Sequence, residues 1–305
     1  MQSELNKSLS RFITMIINYR VTTMKKLLPA LITTLLLSNY AAADDNPVTA
    51  KQLSEHVYVL YGQGGNIAAS VGDDGIYIID DQFAKLSDDI KKTISELKPG
   101  SAEFVINTHH HGDHTGGNEN FAKAGAHVIA HDNVHKRLKE KHGEGSDSLP
   151  RISFGHDLKL HFNNEHAHVV HYSNSHTDGD SVIFFSNDNI VHMGDIYFNF
   201  GSLPFVDVDS GGSVNGVLAA VDDVIKQIDE KTTVIPGHGP ISDRSGLMTY
   251  RKLVQKAKDV MLNAMQNDAS LEQVLKADPL SELGLEYANW LPKERVTTLF
   301  YRSLK

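Results

Sequence analysis

From residue 56 onward, apolar positions alternate in short runs and recur at helical spacing in longer ones. "HVYVLYG" (56–62) and "NIAASVGDDGIYIID" (66–80) carry the period-two pattern of strands, and the second folds back as a hairpin at Asp73-Asp74-Gly75. Helical spacing over "KLSDDIKKTISELK" (85–98) predicts an amphipathic helix with Ser87 as N-cap, stopped by Pro99-Gly100. "AEFVIN" (102–107) predicts a strand, after which comes a histidine-rich loop. Short helices at 118–124 and 132–141 flank a strand, "AHVIA" (126–130). Strands follow at 156–162, 166–172, 181–185 and 190–194. "SVNGVLAAVDDVIKQID" (213–229) predicts a second long helix and "TTVIP" (232–236) a last strand. Beyond Gly246 the pattern is helical, with Tyr250, Leu253, Val254, Ala257, Val260, Met261 and Met265 on one apolar face. The order predicts a mixed α/β fold in which helices cover both faces of two stacked sheets. No repeat interrupts it, and no linker divides residues 44–305 into independent domains.

The N-terminus reads differently. "MKKLLPALITTLLLSNYAAADDNP" starts at Met24 with Lys25 and Lys26, continues through an apolar stretch from Leu27 to Leu37, and ends in Ala41-Ala42-Ala43. This is the layout of a secretory signal peptide (24–43), too short and too weakly flanked for a stable membrane span. It predicts a start at Met24, a mature N-terminus at Asp44, and a periplasmic or secreted protein. Without the five basic residues and one acid of residues 1–43, the remaining 24 basic and 37 acidic groups give a charge of −13. A chain that acidic is a poor partner for nucleic acid or an anionic membrane surface, so a small-molecule substrate is expected. The chain has no cysteine, which excludes thiolate ligands and leaves His, Asp and Glu for any metal.

The loop after "AEFVIN" is "NTHHHGDH" (107–114). His109 and His111 are two apart in an extended segment, so both imidazoles leave the same side of the chain. Asp113 and His114 offer a carboxylate and an imidazole to a neighbouring position. A short loop cannot complete two sites, and three single donors sit at other strand ends: His176 in "SNSHTDGD", Asp195 in "IVHMGD" and His238 in "VIPGHGP". The glycines around His238 allow a tight turn that aims its ring back over the sheet.

"HHHGDH" resembles the H-x-H-x-D-H signature of the metallo-β-lactamase superfamily, with His176, Asp195 and His238 matching its remaining ligands over residues 56–245. The resemblance implies an αββα sandwich over residues 44–245, with residues 246–305 as a C-terminal helical extension packed on it. It also implies two Zn2+ per chain: one on His109, His111 and His176, the second on Asp113, His114 and His238, with Asp195 bridging. Nitrogen and oxygen ligation suits zinc and is compatible with manganese or iron. A hydroxide between two such ions attacks a carbonyl at neutral pH, with Asp113 orienting it. The expected activity is a zinc-dependent hydrolase, β-lactamase-like and acting on a cyclic amide. The alternatives are a lactonase, esterase or thioesterase. An iron-dependent sulfur dioxygenase is disfavoured by the second ligand set, a di-iron flavoprotein by His111, and a non-catalytic metal binder by the bridging set. Asp195 stands where some lactamases have cysteine, and Phe198 where their substrate-gripping lysine falls.

Other residues carry weaker expectations. His110 is expected beside the ligands or in solvent, His131 and His135 on a solvated helix face, His161, His166, His168 and His171 on a strand surface, and His192 in the core. Asp80 either supports the site or caps a turn. Tyr197 either hydrogen-bonds a substrate oxygen or packs as a core aromatic. Residues 143–155 and 199–212 are candidates for the substrate-facing wall, and Trp290 with "TTLFYRSL" (297–304) for packing anchors of the tail.

Overall fold

The strands form two sheets. The first contains β1 (Thr49–Gln52), β2 (Val57–Tyr61), β3 (Ile67–Gly72), β4 (Gly75–Ile79), β5 (Phe104–Ile106), β6 (His127–His131) and β7 (Ile152–Phe154), paired in chain order. The second contains β8 (Asp157–Phe162), β9 (Glu165–His171), β10 (Ser181–Phe185), β11 (Ile190–His192), β12 (Thr233–Ile235) and β13 (Ser242–Asp243), in the order β13-β12-β11-β10-β9-β8. These are the features of a computed structural model that describes residues 47–305. The expected signal peptide and the start at Met24 lie outside the described residues. The first sheet is antiparallel from β1 to β4 and parallel from β4 to β7; in the second only β11 and β12 run parallel.

The helices are α1 (Ser87–Leu97), α2 (Gly112–Thr115), α3 (Asn118–Lys123), α4 (Asp132–His142), α5 (Val214–Gln227), α6 (Arg244–Ala264), α7 (Leu271–Ala277) and α8 (Lys293–Leu304). Alternation along the strands assigns the layers. Tyr77 and Ile79 of β4 meet Ile183 and Phe185 of β10 between the sheets. Ile76 and Ile78 face Ile90 and Ile94 of α1 on one outer side. On the other, Val182, Val191 and Val234 face Val217, Val221 and Val224 of α5, Val254 and Met261 of α6, and Phe300 of α8. The result is the expected αββα sandwich, with the C-terminal helices sharing the second sheet's core. Each fully buried side chain of this size contributes about 1.5–3 kcal/mol.

Several boundaries differ from the sequence expectation. Ser87 is the first residue of α1, not its cap. A 3-10 turn (Ala84–Leu86) precedes it, and Ser87 Oγ accepts from Asn120 Nδ2 at 3.0 Å. Asp88 and Asp89 complement that helix start instead. The strand expected at 190–194 ends at His192 because Gly194 takes a positive φ of 51° and begins a 3-10 turn carrying Asp195. His131 closes β6 and caps α4, its Nδ1 accepting from Asn133 N.

Candidate metal centre

The seven expected donors come from both sheets and meet at one edge. His109 and His111 lie in the loop after β5, and Asp113 and His114 in α2. His176 precedes β10, Asp195 follows β11 and His238 follows β12. The first loop is fixed by Asp80, fully buried after β4, whose carboxylate accepts from Thr108 N (2.7 Å), Thr108 Oγ1 (2.8 Å) and His114 Nδ1 (2.7 Å). The last loop is fixed from the opposite sheet by Asn66, whose Nδ2 donates to Pro236 O and Gly239 O, both at 2.9 Å. Gly237 is required here: a Cβ would overlap Asp195 Oδ1.

Asp195 divides the donors into two groups. Its Oδ2 lies 3.8 Å from His109 Nε2 and 3.7 Å from His176 Nε2, and both nitrogens are 3.0 Å from His111 Nδ1. Its Oδ1 lies 3.1 Å from His114 Nε2 and 3.4 Å from His238 Nε2, and Asp113 Oδ2 is 3.2 Å from His238 Nε2. Ligand atoms on a tetrahedral zinc at ~2.0–2.1 Å are about 3.3 Å apart, and the separations here bracket that value. The outward ring nitrogens are committed elsewhere. His176 Nδ1 donates to Phe205 O (2.6 Å), His111 Nε2 to Asp207 Oδ2 (3.0 Å), and His109 Nδ1 to Thr108 Oγ1 (3.1 Å). With those protons placed, His109 Nε2, His111 Nδ1 and His176 Nε2 turn three lone pairs toward one point, which a cation satisfies and hydrogen bonds among them do not. Asp195 Oδ1 is buried without a well-aligned hydrogen bond, despite its two histidine neighbours. The residues therefore fit a pair of divalent cations.

Electrostatics separates the two groups. Burial pushes His109 and His176 down, His176 to about 4, so both stay neutral. Burial also opposes charge on His114 and His238, but Asp195 and its neighbouring carboxylates outweigh it, holding His114 well above its usual range and His238 at about 9. Burial likewise opposes ionisation of Asp113 and Asp195, and the facing histidines outweigh it, putting Asp113 at about 2 and Asp195 well below the carboxylate range. In the bare protein, protons on His114 and His238 thus balance Asp113 and Asp195. A cation binding there displaces them.

The remaining histidines stay outside both groups. His110 is half-buried, with Nε2 3.4 Å from Ser210 Oγ. His131 is not on a solvated helix face: it is buried at the end of β6 and stacks on His171 at 3.5 Å. His135 contacts Pro150 O (3.0 Å), His168 pairs with Asp157, and His161 contacts His166 on the surface. His192 is a core residue, its Nε2 donating to Asn66 O. Tyr197 is a packed aromatic, buried against Tyr250 with its hydroxyl 2.9 Å from Ser242 Oγ. Phe198 is buried and stacks on His238 at 5.3 Å. The sequence reading missed Asp207 and the Phe205 carbonyl, which orient His111 and His176. Asp207 lies in a Ser/Gly/Asp loop with no periodic pattern to single it out.

A cleft of about 460 Å3 opens onto the donors, with His111, Asp113, Asp195 and His238 at its base. Phe200 and Phe205 from the 199–212 loop form part of its wall, as expected. Residues 143–155 do not: they contribute to a separate depression beside His135, and three of them form β7. Trp290 is no packing anchor either. It is 55% exposed and faces the cleft beside Arg295, whereas Leu299, Phe300 and Tyr301 of α8 do pack inward.

Comparison with known proteins agrees with this geometry. The hydroxyacylglutathione hydrolase of Pelagibacter ubique is 30% identical over 145 residues, 45% of this chain and 51% of that protein. That of Polaromonas sp. is 31% identical over 160 residues, 51% of this chain and 56% of that protein. The chain thus spans about half the length of the curated relatives it matches. Among solved structures, the metallo-beta-lactamase from Pontibacter korlensis superposes with a TM-score of 0.61 at 18% identity, covering 68% of this chain and 99% of that one. The DIM-1 metallo-beta-lactamase gives 0.61 at 17% identity, covering 69% and 98%. These two likenesses bear on the fold. The profile of the metallo-beta-lactamase superfamily matches residues 81–242, just over half the chain, a span that holds all seven donors, and the chain belongs to that superfamily.

Proposed function

We propose that this protein is an exported, dinuclear-metal hydrolase of small acyl compounds, with thioesters and esters ahead of cyclic amides. The observation that carries the reading is Asp195, which turns one carboxylate oxygen to each group of donors. His109, His111 and His176 would hold one zinc, Asp113, His114 and His238 the other, and Asp195 both. Bound there, the two ions supply a nucleophile at neutral pH by lowering the pKa of water, and they polarise the carbonyl under attack. The chain's own residues do the rest. Asp113, ionised and facing the cleft, orients the attacking water and holds its proton. Asp80 and Asp207 hold the rings of His114 and His111 in the tautomers that ligation needs. Phe83, Phe200, Phe205 and Trp290 give the cleft an apolar wall beside the reacting groups.

Two observations favour a thioester. The curated relatives are named hydroxyacylglutathione hydrolases. Among the described residues that line the cleft, no acid other than the donors themselves is placed to protonate a leaving nitrogen. A thiolate, with a pKa of about 8.5, departs without one. β-Lactams come second: Phe198, at the position of the lactamases' substrate-gripping lysine, is buried against His238 and carries no charge.

Metal analysis and a substrate panel test this. Two zincs per chain are expected, with metal-dependent turnover of an S-acyl thioester above that of a homoserine lactone and a chromogenic cephalosporin. Cephalosporin turnover alone would reverse the order, one iron per chain would favour the dioxygenase, and inertness toward all three would sink the hydrolase. N-terminal sequencing of the protein isolated from its native cells should read Asp44 first; an intact Met1 would contradict cleavage of a signal peptide and the export it implies.

A further inference from the structure

The cleft above the donors does not end at Trp290. A second cavity, of about 360 Å3, lies beside it, and the two share Phe200 and Trp290 as a common wall. Its lining is mainly apolar: Phe198, Leu203, Ala288 and Leu291 join those two aromatics, with Glu286, Ser202 and Tyr287 as the polar contributors. Phe200 and Trp290 are 62% and 55% exposed, an unusual use of large apolar surface beside a polar site. Arg295 stands at the same wall. Its guanidinium lies 5.0 Å from the Phe205 ring centroid, Nη1 donates to Trp290 O at 3.0 Å, and no carboxylate among the described residues pairs with it. It is the single arginine or lysine among the described residues lining the cleft.

The geometry points to a substrate that is amphiphilic and anionic: an apolar group, aliphatic or aromatic, seated in the cavity between Phe200, Trp290 and Leu291, and a negative charge held by Arg295. The inference rests on the hydrolase reading and names that enzyme's substrate class. Size and lining suit it, since ligand sites of a few hundred Å3 are mostly apolar with a few polar groups that fix orientation. Charge suits it as well. A chain as acidic as this one repels anions in general, so an unpaired arginine at the mouth selects where an anion sits. The segment that supplies Ala288, Trp290, Leu291 and Arg295 is the C-terminal extension, which contributes none of the seven donors. Selection of the acyl compound is thereby separated from the chemistry that cleaves it.

Trp290 is the protein's one tryptophan, so its emission reports occupancy without reference to turnover. The metal-loaded full chain is titrated with acetate, hexanoate, decanoate and decanol. Each methylene buried should tighten binding about three- to fourfold. Decanoate should therefore shift Trp290 emission saturably, at a concentration at least tenfold below hexanoate, and acetate should have no effect. Arg295→Gln should erase the preference for decanoate over decanol. Ala288→Phe, at an exposed position that tolerates the larger ring, should weaken both, with the thermal transition confirming that each variant folds. Equal responses to acetate and decanoate, or decanoate binding unmoved by either substitution, would overturn the inference. A protein that binds decanoate at Trp290 but cleaves no acyl compound would refute the hydrolase reading and keep this site. One that cleaves short esters with no response at Trp290 would do the reverse.

Discussion

Replacing Asp80 by asparagine probes how the chain holds its metal ligands. Asp80 has a φ of 65°, in the left-handed region. Asparagine adopts that region readily, so backbone strain stays constant, as it would not with alanine. The carboxylate accepts three hydrogen bonds in a fully buried setting; an amide has one acceptor oxygen. If that oxygen faces Thr108 Oγ1 and His114, the amide NH2 opposes Thr108 N–H, and an unmet buried donor costs about 1–3 kcal/mol. If the amide is reversed, its NH2 opposes His114 Nδ1–H. The proton must then move to Nε2, where it covers the lone pair that faces Asp195. In that reversed orientation the group of Asp113, His114 and His238 suffers, and loss of such an orienting partner costs about 10–100-fold in metal affinity. In protein loaded with zinc, competition against a chromophoric chelator should show binding at Asp113, His114 and His238 weakened by that factor and binding at His109, His111 and His176 weakened less. The melting temperature should drop by about 2–4 °C for each kcal/mol lost. Asp81→Asn is the contrast. Burial raises that carboxyl well above its usual range, its Oδ1 accepts from Gly117 N at 2.8 Å, and Oδ2 has no partner, so a neutral amide replaces a neutral acid. Equal zinc affinities in Asp80→Asn and the parent protein would refute the argument.

The remaining predictions concern other positions. His111→Ala removes the nitrogen that lies 3.0 Å from both His109 and His176, and should reduce turnover at least 100-fold and lower metal content, whereas His135→Ala should change neither; both are read by metal analysis and thioester assay. Tyr197→Phe should cost about 1 kcal/mol through the lost bond to Ser242, measured by denaturant unfolding, and leave turnover intact; a tenfold loss of turnover would return Tyr197 to the substrate site. Burial raises Asp180 to about 7, so the folded state holds its proton more tightly than the unfolded chain does. Stability from this group is full below the unfolded pKa near 4 and is lost as pH rises toward 7, and Asp180→Asn should flatten the unfolding free energy across that window.

The donors were legible because ligand chemistry restricts residue type and because strand ends are readable from alternation. His176, Asp195 and His238 each follow or precede an apolar run, and the structure brings all three to the loop of residues 109–114. The sandwich was legible for the same reason: β4 and β10 are apolar on both faces, so helices must cover their outer sides. What failed was anything decided by tertiary context. Trp290 has the composition of a packing residue and stands in the cleft wall. His131 has helical spacing to His135 yet belongs to a strand, since the boundary falls between His131 and Asp132. Asp207 and the Phe205 carbonyl act through a fold-dependent approach to His111 and His176 that no local pattern encodes. Ser87 suits a cap, but the 3-10 turn before it takes that position.

Asn66 ties the loop of Pro236 and Gly239 to the opposite sheet across some 170 residues of chain. The four donors of residues 109–114 emerge from synthesis long before His238, and alone they lack the carboxylate that joins the two groups. Secure loading of a cation is therefore a late event in biogenesis, deferred until the halves have closed on each other. A chain truncated before residue 238 should be born with the group of Asp113 and His114 incomplete, however well its first sheet is formed.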